Sequence, residues 1–366
     1  MRAAVLEEVG SPITIYNDVN IIEPRAGEVR VDVKYCSVCH SDLSVLDGSI
    51  PTYGKTILGH EAAGVVESVG PGVTSLAAGD HVVLTPVPPC GSCYFCLRGD
   101  AALCAKNSSL HTYALADGVT GLSAGDETIY KGLGVAAFAE QVVSTANGAV
   151  KIPDDVPLDI ACLMGCALQT GIGAVLNTSD VEAGATVLIM GLGGVGIAAV
   201  QGARLAGAAV IIASDPVAER RELAKQFGAT HVNDPGSEDL LAQCQAITEG
   251  IGLDYAFETA GIAKLTEVAI ALVRPGGTVV CVGAAPLDQG IEINPLTLFS
   301  SLEKKLCGCL MGSSNSLHDI PRLARLWKNQ RLDIEGMVTN RRPLSEINEA
   351  FDDLKAGRGI RTVLEI

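Results

Sequence analysis

Short runs of alternating apolar and polar residues dominate the first 150 residues of the chain. In VRVDVKYCSV (residues 29–38) apolar side chains fall at every second place between Arg30, Asp32 and Lys34, the period of a strand with one buried face. EAAGVVESVG (61–70) and DHVVLTPV (80–87) are further β-branched runs, joined by the turn formers of PGVTSLAAGD (71–80). An all-β domain is expected there. Near Ile152 the rhythm changes. ATVLIM (185–190) reads as a strand, GLGGVG (191–196) as a turn, IAAVQGARLAG (197–207) as a helix and AAVIIAS (208–214) as a second strand. LDYAFETAG (253–261), a helix from about Lys264 and GTVVCVGAAP (277–286) continue the alternation. Strands alternating with helices predict a parallel sheet wound on both faces. The expected divisions are residues 1–160, 161–305 and a tail over 306–366 that ends on the strand-like RTVLEI. Texture alone does not say which domain the tail joins.

A chain of 366 residues with 48% hydrophobic and 19% charged side chains has material for two cores and no compositional sign of disorder. Its 26 basic and 42 acidic residues leave a net charge of −16, which argues against a nucleic-acid partner. The apolar runs are too short to span a bilayer, so no membrane association is expected. MRAAVLEEVG at the start has two glutamates where a secretory signal needs an apolar run. A cytoplasmic location is expected.

In a reducing compartment disulfides rarely persist, so twelve cysteines call for another reading. Cys90, Cys93, Cys96 and Cys104 form C-x2-C-x2-C-x7-C, enough thiolates to close a tetrahedral shell around structural zinc. The competing reading, small buried hydrophobes, does not account for the regular spacing. Cys36, Cys162, Cys244, Cys281, Cys307 and Cys309 are expected to be plain buried thiols. A catalytic zinc needs three protein ligands and an open position. Candidates are Cys39-His40-Ser41-Asp42, Gly59-His60-Glu61 and Gly165-Cys166; spacing alone does not link the last to the first.

Gly191, Gly193, Gly194, Val195 and Gly196 follow a strand and open a helix, where glycines permit a tight turn and close approach to a pyrophosphate. The helix N-terminus adds free N–H groups for the phosphates. Asp215, nineteen residues beyond Gly196 at the end of the next strand, is suited to accept the adenosine ribose hydroxyls of NAD. Its competing reading is a helix cap before Pro216.

GHEAAGVVESVG, the four-cysteine run and GLGGVG with its aspartate resemble, in order and interval, the medium-chain, zinc-dependent alcohol dehydrogenase family. The resemblance spans essentially the whole chain and is to the liver-type, class III-like branch. It implies a GroES-like β-rich catalytic domain, rejoined by the tail, and a Rossmann cofactor domain. It implies hydride transfer between an alcohol and NAD, with two zinc ions per chain. By this resemblance Cys39, His60 and Cys166 hold the catalytic zinc, and Glu61 sits behind it. Ser41 receives the alcohol proton. Arg361 contacts the pyrophosphate, Thr170, Val195 and Val282 surround the nicotinamide, and Arg220 lies near the adenosine ribose.

Three departures from the liver pattern follow. His40 replaces an arginine at the pyrophosphate, Ser44 replaces a relay histidine, and Pro86 and Gly132 replace two pocket phenylalanines. The last pair implies, with Ser41, a roomy pocket for a bulky primary, benzylic or allylic alcohol. The long segment between Cys104 and Phe138 favours the dimeric branch, so a homodimer is expected. A formaldehyde dehydrogenase acting on a thiol adduct is the nearest alternative, although LDGSIPTYGKTILGH (46–60) lacks that branch's acid pair. A non-catalytic relative is the remote one.

Overall fold

Alternation in residues 29–38 produces the longest strand of the computed structural model, Glu28–Ser37, in which Val29, Val31, Val33 and Cys36 face the interior. The structure describes every residue except 108 and 116. Antiparallel partners of this strand are Glu61–Val69, Gln141–Thr145 and the C-terminal Arg361–Glu365. His81–Leu84, Ala149–Lys151 and Val338–Pro343 complete a seven-stranded sheet. A second, six-stranded sheet is built on Ala3–Leu6. Their core includes Leu6, Ile57, Leu58, Phe138 and Phe351, the last two rings meeting edge to face at 6.1 Å.

The other sheet is fully parallel. From one edge it runs His231–Asn233, Val210–Ser214, Thr186–Met190, Leu253–Glu258, Val273–Cys281, Lys305–Gly308. In chain order that is 3-2-1-4-5-6, the arrangement of a dinucleotide-binding sheet, with its switch point beside the end of Thr186–Met190. Leu188, Met190, Ile212, Ala256 and Val279 fill its core.

The chain divides into two compact units, Met1–Gln169 with Ser314–Ile366, and Thr170–Ser313. The C-terminal segment thus rejoins the first unit, but both boundaries differ from 160/161 and 305/306. Leu158–Ala161 and Cys162–Gly165 pack on the strands Glu28–Ser37 and Glu61–Val69, which draws the first boundary onward. The second expected boundary cuts Lys305–Gly308, whose Cys307 pairs with Val280 in the parallel sheet. A further correction concerns the cysteines outside the two sets. Cys36, Cys162 and Cys244 are buried, whereas Cys281, Cys307 and Cys309 are only partly so. Among the described residues no single helix is long and apolar enough to cross a membrane.

Candidate active site

Three separate turns bring four donors together. Cys39 follows the strand Glu28–Ser37 and caps the short helix His40–Leu46. His60 stands just ahead of Glu61–Val69, after Gly59, whose φ of +89° and contact with Phe138 at 2.7 Å from a Cβ position exclude a side chain. Cys166 lies between the helical segments Cys162–Gly165 and Ala167–Gly173. The ligand atoms of Cys39, His60, Glu61 and Cys166 lie within 4.8 Å of one another, and all four residues are buried.

Charge around the set is arranged from behind. Asp42 Oδ1 lies 3.1 Å from His60 Nδ1 and accepts from the Gly59 N–H at 2.9 Å; Oδ2 accepts from the Cys39 N–H at 3.3 Å. An Nδ1–H held by a carboxylate leaves Nε2 free to ligate, the usual support of a metal-bound histidine. Arg361 Nη2 donates to Glu61 Oε1 at 3.2 Å and approaches Cys39 Sγ at 3.9 Å. Burial pushes the Glu61 carboxyl up to about 8, against the Arg361 cation. A hydrogen bond from Cys166, then the charges of His60 and Arg361, hold Cys39 well below the usual thiol range against desolvation. Glu61 Oε2 and Arg361 Nε are buried without hydrogen-bond partners among the described residues. Two soft thiols, an imidazole and an unpaired carboxylate oxygen fit a borderline-soft divalent cation such as zinc.

Cys90, Cys93, Cys96 and Cys104 form the second set. The Cys90–Cys96 and Cys93–Cys104 sulfur distances are 4.0 and 3.9 Å. A tetrahedron of thiolates about 2.3 Å from zinc has edges of about 3.8 Å, so these spacings fit the ion. They are far outside the roughly 2 Å of a disulfide. Backbone N–H groups of Cys90 and Ser92 donate to the Cys104 and Cys90 sulfurs.

At the switch point of the parallel sheet Gly191, Gly193 and Gly196 differ in what surrounds them. Gly191 has φ +92° and packs on Ala260. A Cβ on Gly196 would lie 1.8 Å from the Gly191 carbonyl oxygen. Gly193 is different: its φ is −69° and a Cβ there would meet nothing within 4 Å. Neither conformation nor protein packing demands glycine at 193; a ligand pressed against the backbone would. Asp215 is buried, with Oδ2 accepting from the Leu192 N–H at 2.7 Å and Oδ1 from the Val217 N–H at 2.8 Å. It therefore ties the glycine turn to the next strand, and each oxygen keeps a lone pair for a further donor.

Comparison with known proteins agrees with this geometry. Residues 25–154 match the alcohol dehydrogenase GroES-like domain and residues 194–329 the zinc-binding dehydrogenase domain. The chain is 37% identical to an NDMA-dependent alcohol dehydrogenase of Amycolatopsis methanolica, over 99% of this chain and 98% of that one. It is 36% identical to S-(hydroxymethyl)glutathione dehydrogenase of Paracoccus denitrificans, over 99% of both. The chain belongs to the zinc-dependent medium-chain alcohol dehydrogenase family. It is an NAD-linked oxidoreductase whose metal is zinc. Among solved structures, benzyl alcohol dehydrogenase of Acinetobacter calcoaceticus superposes with a TM-score of 0.93 at 32% identity, over 100% of this chain and 99% of that one.

The remaining expected site residues of this dehydrogenase lie in varied surroundings. Ser41 is half-buried, with Oγ 4.0 Å from Cys39 Sγ, while His40 is exposed and Ser44 buried. Arg220 Nη1 lies 3.9 Å from Asp215 Oδ2. Thr170 is buried, and Val195 and Val282 are half-buried. Pro86 is buried and its carbonyl accepts from Asn107 at 3.4 Å. Gly132 requires a correction. A Cβ there would lie 2.6 Å from Leu58 Cδ2 and 2.7 Å from the Ile57 carbonyl oxygen, so this glycine serves close packing and opens no pocket space. Asp42, which orients His60, stands in the sequence only as a member of the Cys39-His40-Ser41-Asp42 cluster. Its signal was its place three residues after Cys39, where an acid doubles as the return half of a capping box.

Proposed function

We propose that this dehydrogenase oxidises a bulky primary alcohol, benzylic or allylic, to its aldehyde with NAD, as a cytoplasmic homodimer. The whole-length likeness to benzyl alcohol dehydrogenase carries the substrate class. Cys39, His60 Nε2 and Cys166 hold one zinc, and the four-cysteine set holds the other. When bound, zinc lowers the pKa of an alcohol hydroxyl and NAD takes the hydride. Ser41 Oγ would accept the hydroxyl proton as its own passes to a ribose hydroxyl of the cofactor and from there to water. Ser44, in place of a histidine, cannot act as a base near neutral pH, so the proton leaves without an imidazole step. Asp42 fixes the His60 tautomer, and Glu61 with Arg361 sets the field behind the donors.

For the cofactor, the N–H groups of residues 191–196 take the pyrophosphate. Asp215 and Arg220 take the adenosine ribose, and Thr170, Val195 and Val282 pack on the nicotinamide. Asp215 would repel the additional phosphate of NADP. Losing a charge-assisted hydrogen bond costs roughly 1.5–3 kcal/mol, about 10- to 150-fold in affinity. Asp215→Gly is therefore expected to narrow the preference for NAD by that order. Because Asp215 also holds the Leu192 N–H, the affinity for both nicotinamides should fall. Dissociation constants measured by fluorescence titration check this; an unchanged NAD/NADP ratio would contradict it.

The substrate reading is tested by comparing kcat/KM for benzyl alcohol, an allylic alcohol, ethanol and S-(hydroxymethyl)glutathione. Extra buried methylenes contribute about 0.8 kcal/mol each, so benzyl alcohol should exceed ethanol by about tenfold or more. Highest efficiency on ethanol would overturn the reading. The Paracoccus relative favours one second reading, a thiol-adduct formaldehyde dehydrogenase. Highest efficiency on the glutathione adduct would establish that one instead.

A further inference from the structure

The backbone breaks at Cys166. Its φ and ψ of −142° and −68° are non-helical, between Cys162–Gly165 and Ala167–Gly173. A Cβ on Gly165 would lie 2.5 Å from the Leu84 carbonyl oxygen, so the turn is pressed onto the strand His81–Leu84 without slack. The Gly165 carbonyl is taken by the side-chain amide of Gln169, four residues on.

That amide is itself held in one orientation. Gln169 Oε1 accepts from Ser316 Oγ at 2.9 Å, which uses the only proton of that hydroxyl. Thr85 Oγ1, 2.9 Å from Ser316 Oγ, must therefore donate to it, and the Val87 N–H approaches Thr85 Oγ1 at 3.4 Å. Ser314 Oγ adds a bond to the Gln169 carbonyl at 3.2 Å. Proton direction is fixed along the whole line, from Thr85 through Ser316 and Gln169 to Gly165. Thr85, Gln169, Ser314 and Ser316 are each 3% exposed or less and belong to one compact unit. Four desolvated polar groups are a poor substitute for apolar packing as a source of stability. A fully satisfied line of them specifies one geometry.

We infer that Gln169, oriented by Ser316 and Thr85, is a positioning residue that holds the Gly165–Cys166 turn so that Cys166 Sγ meets Cys39 and His60. The inference rests on the reading of those three residues as zinc ligands. Groups of this kind typically change metal affinity or activity by about 10- to 100-fold.

Gln169→Met retains length and volume and removes both side-chain hydrogen bonds. Zinc release to a chromophoric chelator, the ligand-field spectrum of the cobalt-substituted enzyme and the Tm are compared with wild type. Gln169→Met should release one of its two zincs about 10- to 100-fold faster. The cobalt bands should shift, and the four-cysteine zinc should leave at the wild-type rate. Ser316→Ala, which frees the amide without removing it, should fall between. A lowered Tm with wild-type zinc release and cobalt spectrum would make Gln169 a packing residue and overturn the inference alone. If Gln169→Met does not fold, wild-type zinc release in Ser316→Ala overturns it equally. A wild type that binds zinc only at the four-cysteine set would instead contradict the ligand reading on which the inference stands.

Discussion

His60→Ala is expected to lower kcat by about 10³-fold or more in a protein that remains folded. His60 contributes the only imidazole among the four donors, and its removal leaves two thiols and the Glu61 carboxyl. It also leaves the Asp42 carboxylate buried without its imidazole partner. Losing one hydrogen bond to a buried carboxylate costs about 1.5–3 kcal/mol. Here the two N–H donors of Gly59 and Cys39 remain on Asp42 and moderate that cost. The turn at Gly59 and the strand Glu61–Val69 do not depend on the imidazole. Steady-state turnover beside thermal denaturation separates the effects. Turnover within tenfold of wild type would remove His60 from the site.

Cys93→Ser is expected to do the reverse. Cys93 caps the short helix Tyr94–Arg98, and the loop around it exposes Tyr94 and Leu97. The helix has five residues, none of them buried, so apolar packing contributes little to holding it. A structural zinc in small peptides contributes about 10–16 kcal/mol to folding, and part of this is lost with one thiolate. A loss of several kcal/mol lowers Tm by about 10 °C, together with soluble yield. Protein surviving below its transition should keep near-normal kcat, because Cys93 touches none of the other donor set. Unchanged Tm with lost activity would exchange the jobs assigned to the two sets.

The strands around Glu28–Ser37 and the wound sheet were legible because β-branched alternation and strand–glycine–helix order are local patterns. The four-cysteine set was legible for the same reason, since all of it lies within one short stretch. Cys166 was not, because only tertiary structure brings it to Cys39 and His60, and the resemblance alone linked them. Lys305–Gly308 is a short, half-exposed edge strand with too little alternation to mark a boundary. Gln169 is a neutral amide whose importance lies in two partners, the nearby Gly165 carbonyl and the Ser316 hydroxyl 147 residues on. For Gly132 the resemblance shows what a residue replaces and not what packs over it.

Two zinc ions with unequal work on one NAD-linked dehydrogenase chain can be counted. Elemental analysis of active, undamaged enzyme does this most directly. Two zinc atoms per chain are expected; one metal or none in fully active enzyme would rule out a second zinc.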